Sequence, residues 1–400
     1  MSRGWADIGM EWRGQQHRRH GKANALAAIL AAVVALALPA AADDALPHPG
    51  EVLFVREARL AELVAADDAR RFDLCGVRVK SWRSHGPVKT IDSPDEYGGD
   101  LRGEPFAHTV MRAAAAAFGT ADKPAQKALV DLLDRWARHD ALLDFDGDQS
   151  SNFYVIERIM LPMIVAWGLV RDSDEVDADE RRNIVKWLTK LIDRRLRPLG
   201  RDGDLSDLNN HAYLAASVDM AWGALNGAPD GFARGIVAYR AAIGQLRPDG
   251  SLPRETERGA RALWYQRHAI ASLVTIAEMA AVQGYDLYGY AVDGHDIHSA
   301  IRFLLAAVDD PKLVWPYAEA NRNPGPYENW MVQDMGFLIR RGHGRHYMAW
   351  AEPYMRRFPD RPEARALARL LPERDPDWRP MVDEYSGGDT TCFFAPAAKE

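Results

Sequence analysis

A chain of 400 residues with 47% hydrophobic content is long enough for one large core, or for two domains, and it lacks the compositional bias of a disordered or low-complexity protein. Its formal charge of -7 argues against general nucleic-acid binding, so an anionic polymer would have to meet positive charge concentrated in a cleft.

In chain order, the first element is a targeting segment. Arg13, Arg18, Arg19 and Lys22 precede an apolar run from Ala25 to Leu38, and Ala40-Ala41-Ala42 leads into Asp43-Asp44. A basic flank, a short apolar stretch and small residues before a polar start describe a secretory signal over residues 1–42. The run is short for a membrane span. The expectation is export to the periplasm with no stable membrane insertion after cleavage, and the start codon is left open between Met1 and Met10. Two cysteines follow, Cys75 and Cys392. An oxidising compartment permits a bridge between them, which sequence leaves open.

Beyond Pro49 the apolar residues recur at spacings of three and four. The pattern predicts helices over Phe106–Phe118, Ala125–Ala137, Phe153–Val170, Glu180–Leu196, His211–Leu225, Phe232–Leu246, Ala260–Ala281, His298–Val308 and Trp330–Ile339. Strand-like alternation is confined to Glu51–Val55 and Val77–Val79. Turn chemistry at Arg201–Asp204, Ala228–Gly231 and Arg247–Gly250 separates helices of similar length. The expected fold is all-α: antiparallel helix pairs in an α/α toroid over residues 43–375 around a central cleft. An irregular tail is expected over 376–400.

Two segments carry the chemistry. Asn209-Asn210-His211, followed by Tyr213, sets amides and an imidazole at a helix N-terminus, where the dipole favours an anion. Arg258 and Tyr265 are seven apart, so on a continuous helix they share a face, with Arg261 between them. A guanidinium beside a phenol favours the phenolate. Uronate β-elimination needs these residue types. Removing the weakly acidic C5 proton loads charge onto a carboxylate, which donors and cations must stabilise, while one group takes the proton and another protonates the O4 leaving group. No metal, other cofactor or nucleophilic water is required.

Asn209-Asn210-His211 with Tyr213, and Asp249-Gly250-Ser251-Leu252-Pro253 leading through Arg258 to Trp264-Tyr265, resemble the alginate lyase family, the poly(β-D-mannuronate) lyases of polysaccharide lyase family 5. Tyr97-Gly98-Gly99-Asp100, Val308–Pro311 and Trp350–Tyr354 extend the likeness across roughly residues 85 to 358. The resemblance implies an anionic polysaccharide as substrate. It implies that Asn210, His211 and Arg258 hold and neutralise the substrate carboxylate, and that Tyr265 transfers protons as acid and base, with His211 the competing base. Trp264 is implied to stack on a sugar, Tyr97 to close over the substrate from a lid, and Asn209, Tyr213 and Arg261 to line the site. Glu96 and Leu214 depart from the family's basic and aromatic residues and leave open which uronate is cut.

Plainer readings stand beside these. Asn209 and Asn210 fit a helix cap, and Trp264 and Tyr265 fit core aromatics. An inverting glycoside hydrolase using Glu255, Glu257 or Asp207 is the rival enzyme; a non-catalytic polysaccharide-binding or export component is the rival without turnover. Oligomeric state is not legible.

Overall fold

The computed structural model describes residues 45–76, 86–91, 103–145, 150–195, 209–322 and 325–398. The secretory segment, Val77–Val79, the lid segment with Glu96 and Tyr97, the turn Arg201–Asp204, and Asp207 lie outside them.

The described chain begins with α1 (Arg56–Ala65) and α2 (Asp68–Cys75). Helix pairs follow: α3 (Gly103–Gly119) with α4 (Lys123–Arg138), α5 (Ser150–Val170) with α6 (Ala178–Arg195), and α7 (Asn210–Asn226) with α8 (Pro229–Ile243). A short helix α9 (Pro253–Thr256) leads to α10 (Ala262–Val282), which pairs with α11 (Ile297–Asp309). The weak strand expected over Glu51–Val55 is absent: these residues are loop and turn before α1.

Neighbour relations give an α/α toroid. Helices α3, α5, α7 and α10 pack side by side in that order as an inner layer, each backed by its outer partner α4, α6, α8 or α11. Sequence explains the layering. Helix α4 is amphipathic: Leu129, Val130, Leu132, Leu133 and Trp136 bury one face and charged residues cover the other. Its start is fixed by Asp122, whose side chain accepts the Ala125 N–H. Trp136 lies flat on Phe106 of α3, ring centres 3.5 Å apart; truncating such a residue costs about 3–5 kcal/mol. The inner helices are apolar all round. Asn152–Val170 of α5 is long and apolar enough to cross a membrane, yet 94% of its most apolar stretch is buried within the fold, so it is a core helix.

Two further expectations fail. Trp330–Ile339 is not a helix but turns with one 3-10 turn over Gly336–Leu338. Its polar groups bond elsewhere: the Asp334 N–H donates to the Ala260 carbonyl at 2.7 Å and Gln333 Nε2 to the Gly259 carbonyl at 3.0 Å. The supposed tail is core. After α12 (Trp315–Ala318), α13 (Ala351–Arg357) and α14 (Pro362–Arg374), β1 (Val382–Asp383) and β2 (Gly388–Asp389) form an antiparallel hairpin running into α15 (Thr390–Phe394). The hairpin packs against α3, α5 and α10. Gly387 turns it at φ +76°, a conformation that favours glycine. A disulfide joins Cys75 at the end of α2 to Cys392 in α15, and Arg59 donates to the carbonyls of Cys392 and Ala395.

Candidate functional site

Helix α7 begins with the first motif. Asn209 is the N-cap; its side chain accepts the His211 N–H at 2.9 Å. The plainer reading therefore holds for Asn209, whose carbonyl oxygen is committed to the backbone. Asn210 differs. Its N–H donates to Glu255 Oε1 at 2.7 Å, while its amide oxygen and nitrogen are buried with no hydrogen-bond partner among the described residues. An orphaned amide at the positive end of a 17-residue helix is costly unless a ligand completes it. The His211 ring stacks on Tyr154 of α5, centroids 4.2 Å apart and 16° from parallel.

Tyr213 lies on a different face of α7 from His211. Two positions past His211 is roughly 200° around a helix. It is buried, with its hydroxyl accepting from Gln245 Nε2 at 3.3 Å, and burial pushes its ionisation far above the usual phenol range. Leu214 is likewise fully buried.

The second motif is not one continuous helix. Helix α9 stops at Thr256, a 3-10 turn spans Gly259–Arg261, and α10 starts at Ala262. Gly259 permits this break: its φ is +56°, and a Cβ there would lie 1.9 Å from Asn321 Oδ1. Arg258 thus reaches Tyr265 from a loop. Its guanidinium carbon lies 4.1 Å from the Tyr265 ring centre, and its Nε donates to the Arg254 carbonyl at 2.9 Å. Arg261 Nε lies 3.8 Å from Asp334 Oδ2. Trp264 is half-buried and packs edge-on against Phe337 and Tyr347.

The structure adds residues that motif reading missed. Tyr265 meets His268 edge-to-face at 5.5 Å; His268 stacks on Tyr385 at 4.6 Å; the Tyr385 and Tyr154 hydroxyls bond to each other; and Tyr154 stacks on His211. A belt of five rings therefore links α10, the C-terminal hairpin, α5 and α7. Burial, reinforced by Arg267 and Arg158, holds His268 neutral, and burial beside Tyr154 keeps Tyr385 protonated. Behind the belt, Glu384 pairs with Arg158 at 2.9 Å and with Arg345. Burial opposes its charge, but the two guanidiniums outweigh it and hold Glu384 well below the usual carboxylate range. Burial and the Glu384 charge push neighbouring Asp383 up. Tyr154 carried one signal in sequence, a phenol in an otherwise apolar run; Tyr385 carried none.

A cavity of about 530 Å³ lies elsewhere, beside α1 and residues 278–282 of α10. That end is about 20 Å along the helix from Tyr265. Arg356 and Arg357, which line it, pair with Glu62 and Glu278 at 2.6 Å each.

The alginate lyase family model matches residues 95–314. An alginate lyase of Pseudomonas putida is 31% identical over 282 residues, 69% of each chain. A polysaccharide lyase of Stenotrophomonas maltophilia is 29% identical over 56% of this chain and 67% of its own length, and an alginate lyase of Azotobacter vinelandii 29% over 55% and 53%. The chain thus matches about half to two thirds of the length of these relatives. Among solved structures, alginate lyase A1-III of Sphingomonas species A1 superposes with a TM-score of 0.70 at 25% identity, covering 91% of this chain and all of that one. Variants of A1-III with a histidine changed to alanine, or a tyrosine to phenylalanine, were solved with a tetrasaccharide.

Proposed function

The chain belongs to the alginate lyase family, and from that premise we propose that it is a polysaccharide lyase cleaving a β-1,4-linked polyuronate by β-elimination, with mannuronate-rich alginate as the leading substrate. The observation that carries the reading is the convergence of Arg258 on Tyr265, 4.1 Å from guanidinium carbon to ring centre, together with the orphaned Asn210 amide at the head of α7. Asn210, His211 and Arg258 hold the substrate carboxylate and take up the charge that develops as C5 loses its proton. Tyr265, flanked by the Arg258 guanidinium, takes that proton and returns one to the O4 leaving group. The products carry a 4,5-unsaturated uronate end.

A hydrolase needs a free pair of carboxyls with room for water. Among the described candidate acids, Glu257 pairs with Arg247 at 3.0 Å and Arg322 at 2.7 Å, and Glu255 Oε1 accepts from Asn210. The proposal includes periplasmic export, supported by the basic, apolar and small-residue order of residues 13–42; a mature N-terminus at Asp43 is expected on secretion, and retention of the apolar run would count against it.

The test is ultraviolet absorbance of the mature protein with polymannuronate, polyguluronate, polyglucuronate and a neutral glycan. A rise on one polyuronate is expected, lowered about 10³-fold or more by Tyr265→Phe. No rise on any of the polyuronates, with new reducing ends appearing, would overturn elimination.

A further inference from the structure

Glu255 is fully buried at the meeting point of the two motifs. From the short helix α9, its Oε1 accepts the Asn210 N–H at 2.7 Å, and its Oε2 faces Arg258 Nε at 3.8 Å without a hydrogen bond. One carboxyl therefore touches the backbone of the carboxylate-binding helix terminus and the side chain that flanks Tyr265. The arrangement is at odds with a purely structural role. A site that gathers a helix dipole, an amide, an imidazole and a guanidinium for an anionic sugar has an acid at its centre, and an ionised carboxyl there repels the incoming uronate.

We propose that Glu255 is a positioning residue that ties Asn210 to Arg258, and that it carries its proton when the substrate carboxylate is bound. The inference rests on the lyase reading for its substrate and on Glu255's own contacts for its placement. Arg258 faces it from its own segment; from α7 it is faced by the Asn210 backbone and by Tyr213, whose buried phenol stays neutral. Burial pushes Glu255 up to about 7, with Arg258 and the Asn210 N–H opposing that rise. A second carboxylate bound nearby favours the protonated form further, so substrate binding takes up a proton.

The variants separate position from charge. Glu255→Gln keeps an acceptor for the Asn210 N–H and cannot ionise; Glu255→Leu removes both. On the polyuronate that wild type cleaves, wild-type kcat/KM is expected to fall about tenfold per unit as pH rises above about 7, carried by KM, while Glu255→Gln stays flat from about pH 6 to about pH 8.5. Glu255→Leu is expected to lose about 10²-fold in kcat, most of it recovered in the Gln variant. Superimposable pH profiles for wild type and Gln, or a Leu variant as active as Gln, overturn the proposal. If wild type cleaves no polyuronate, the lyase reading fails on its own and melting temperature carries the test. An acid raised above its unfolded value stabilises at low pH and loses that stability as pH rises toward 7. The Gln variant should therefore gain a few degrees on wild type between about pH 5 and about pH 8; parallel curves overturn the placement.

Discussion

Helices α7 and α10 and the C-terminal hairpin send rings into the same aromatic belt, but they are held in place by opposite means. The helices are nearly all apolar, so helical register and close packing fix Asn210, His211, Tyr265 and His268, leaving polar groups such as the Asn210 amide unsatisfied. The hairpin is short and carries Asp383, Glu384 and Asp389 into the core, where Arg345, Arg158 and Arg112 meet them. Its Tyr385 is positioned by charge, and removing one partner leaves the other uncompensated. Polar substitutions in the helices should therefore change chemistry and spare stability, whereas those in the hairpin should unsettle the fold first.

The sharpest test of that contrast is Glu384→Gln beside Tyr265→Phe. The first should cost about 3–5 kcal/mol near neutral pH by urea denaturation, the second less than about 1 kcal/mol. The pH dependence has a definite sign. Glu384 is held below its ordinary value of 4.5, so its contribution is full above that value and lost as pH falls through the native titration. The deficit of the Gln variant should shrink on acidification, and a constant deficit would mean that packing, not charge, anchors the hairpin. Next in size is the disulfide. Reduction under native conditions should lower stability by about 2–4 kcal/mol, read as a lower denaturation midpoint with a steeper slope, because the reduced unfolded chain is less compact. Last is Tyr385→Phe. It leaves the Tyr154 hydroxyl without its partner, at about 1–3 kcal/mol, and should lower kcat less than Tyr265→Phe because Tyr385 stacks on His268 and bonds Tyr154, one ring removed from Tyr265 and His211. Equal losses of kcat in the two variants would erase the distinction between the regions.

The same contrast explains what was legible. The paired helices follow from apolar spacing because burial of one face, or of all faces, leaves a period in the chain. Trp330–Ile339 imitates that period, but Gln333 and Asp334 bond to the loop before α10 instead of continuing a helix. Arg258 and Tyr265 do come together, through a loop broken at Gly259 and not along a shared helical face. Tyr213 faces Glu255 and Gln245 and not the side of His211, because adjacency in a motif does not fix direction on a helix. The hairpin escaped notice because Asp383-Glu384-Tyr385 reads as a solvated tail, and its guanidinium partners lie at least 38 residues away in sequence.

The bridge between Cys75 and Cys392 spans 317 residues and holds the two Cα atoms 4.7 Å apart. The intervening chain is thus a covalent ring. A single cut by a protease anywhere within it yields no separate fragment while the bridge stands.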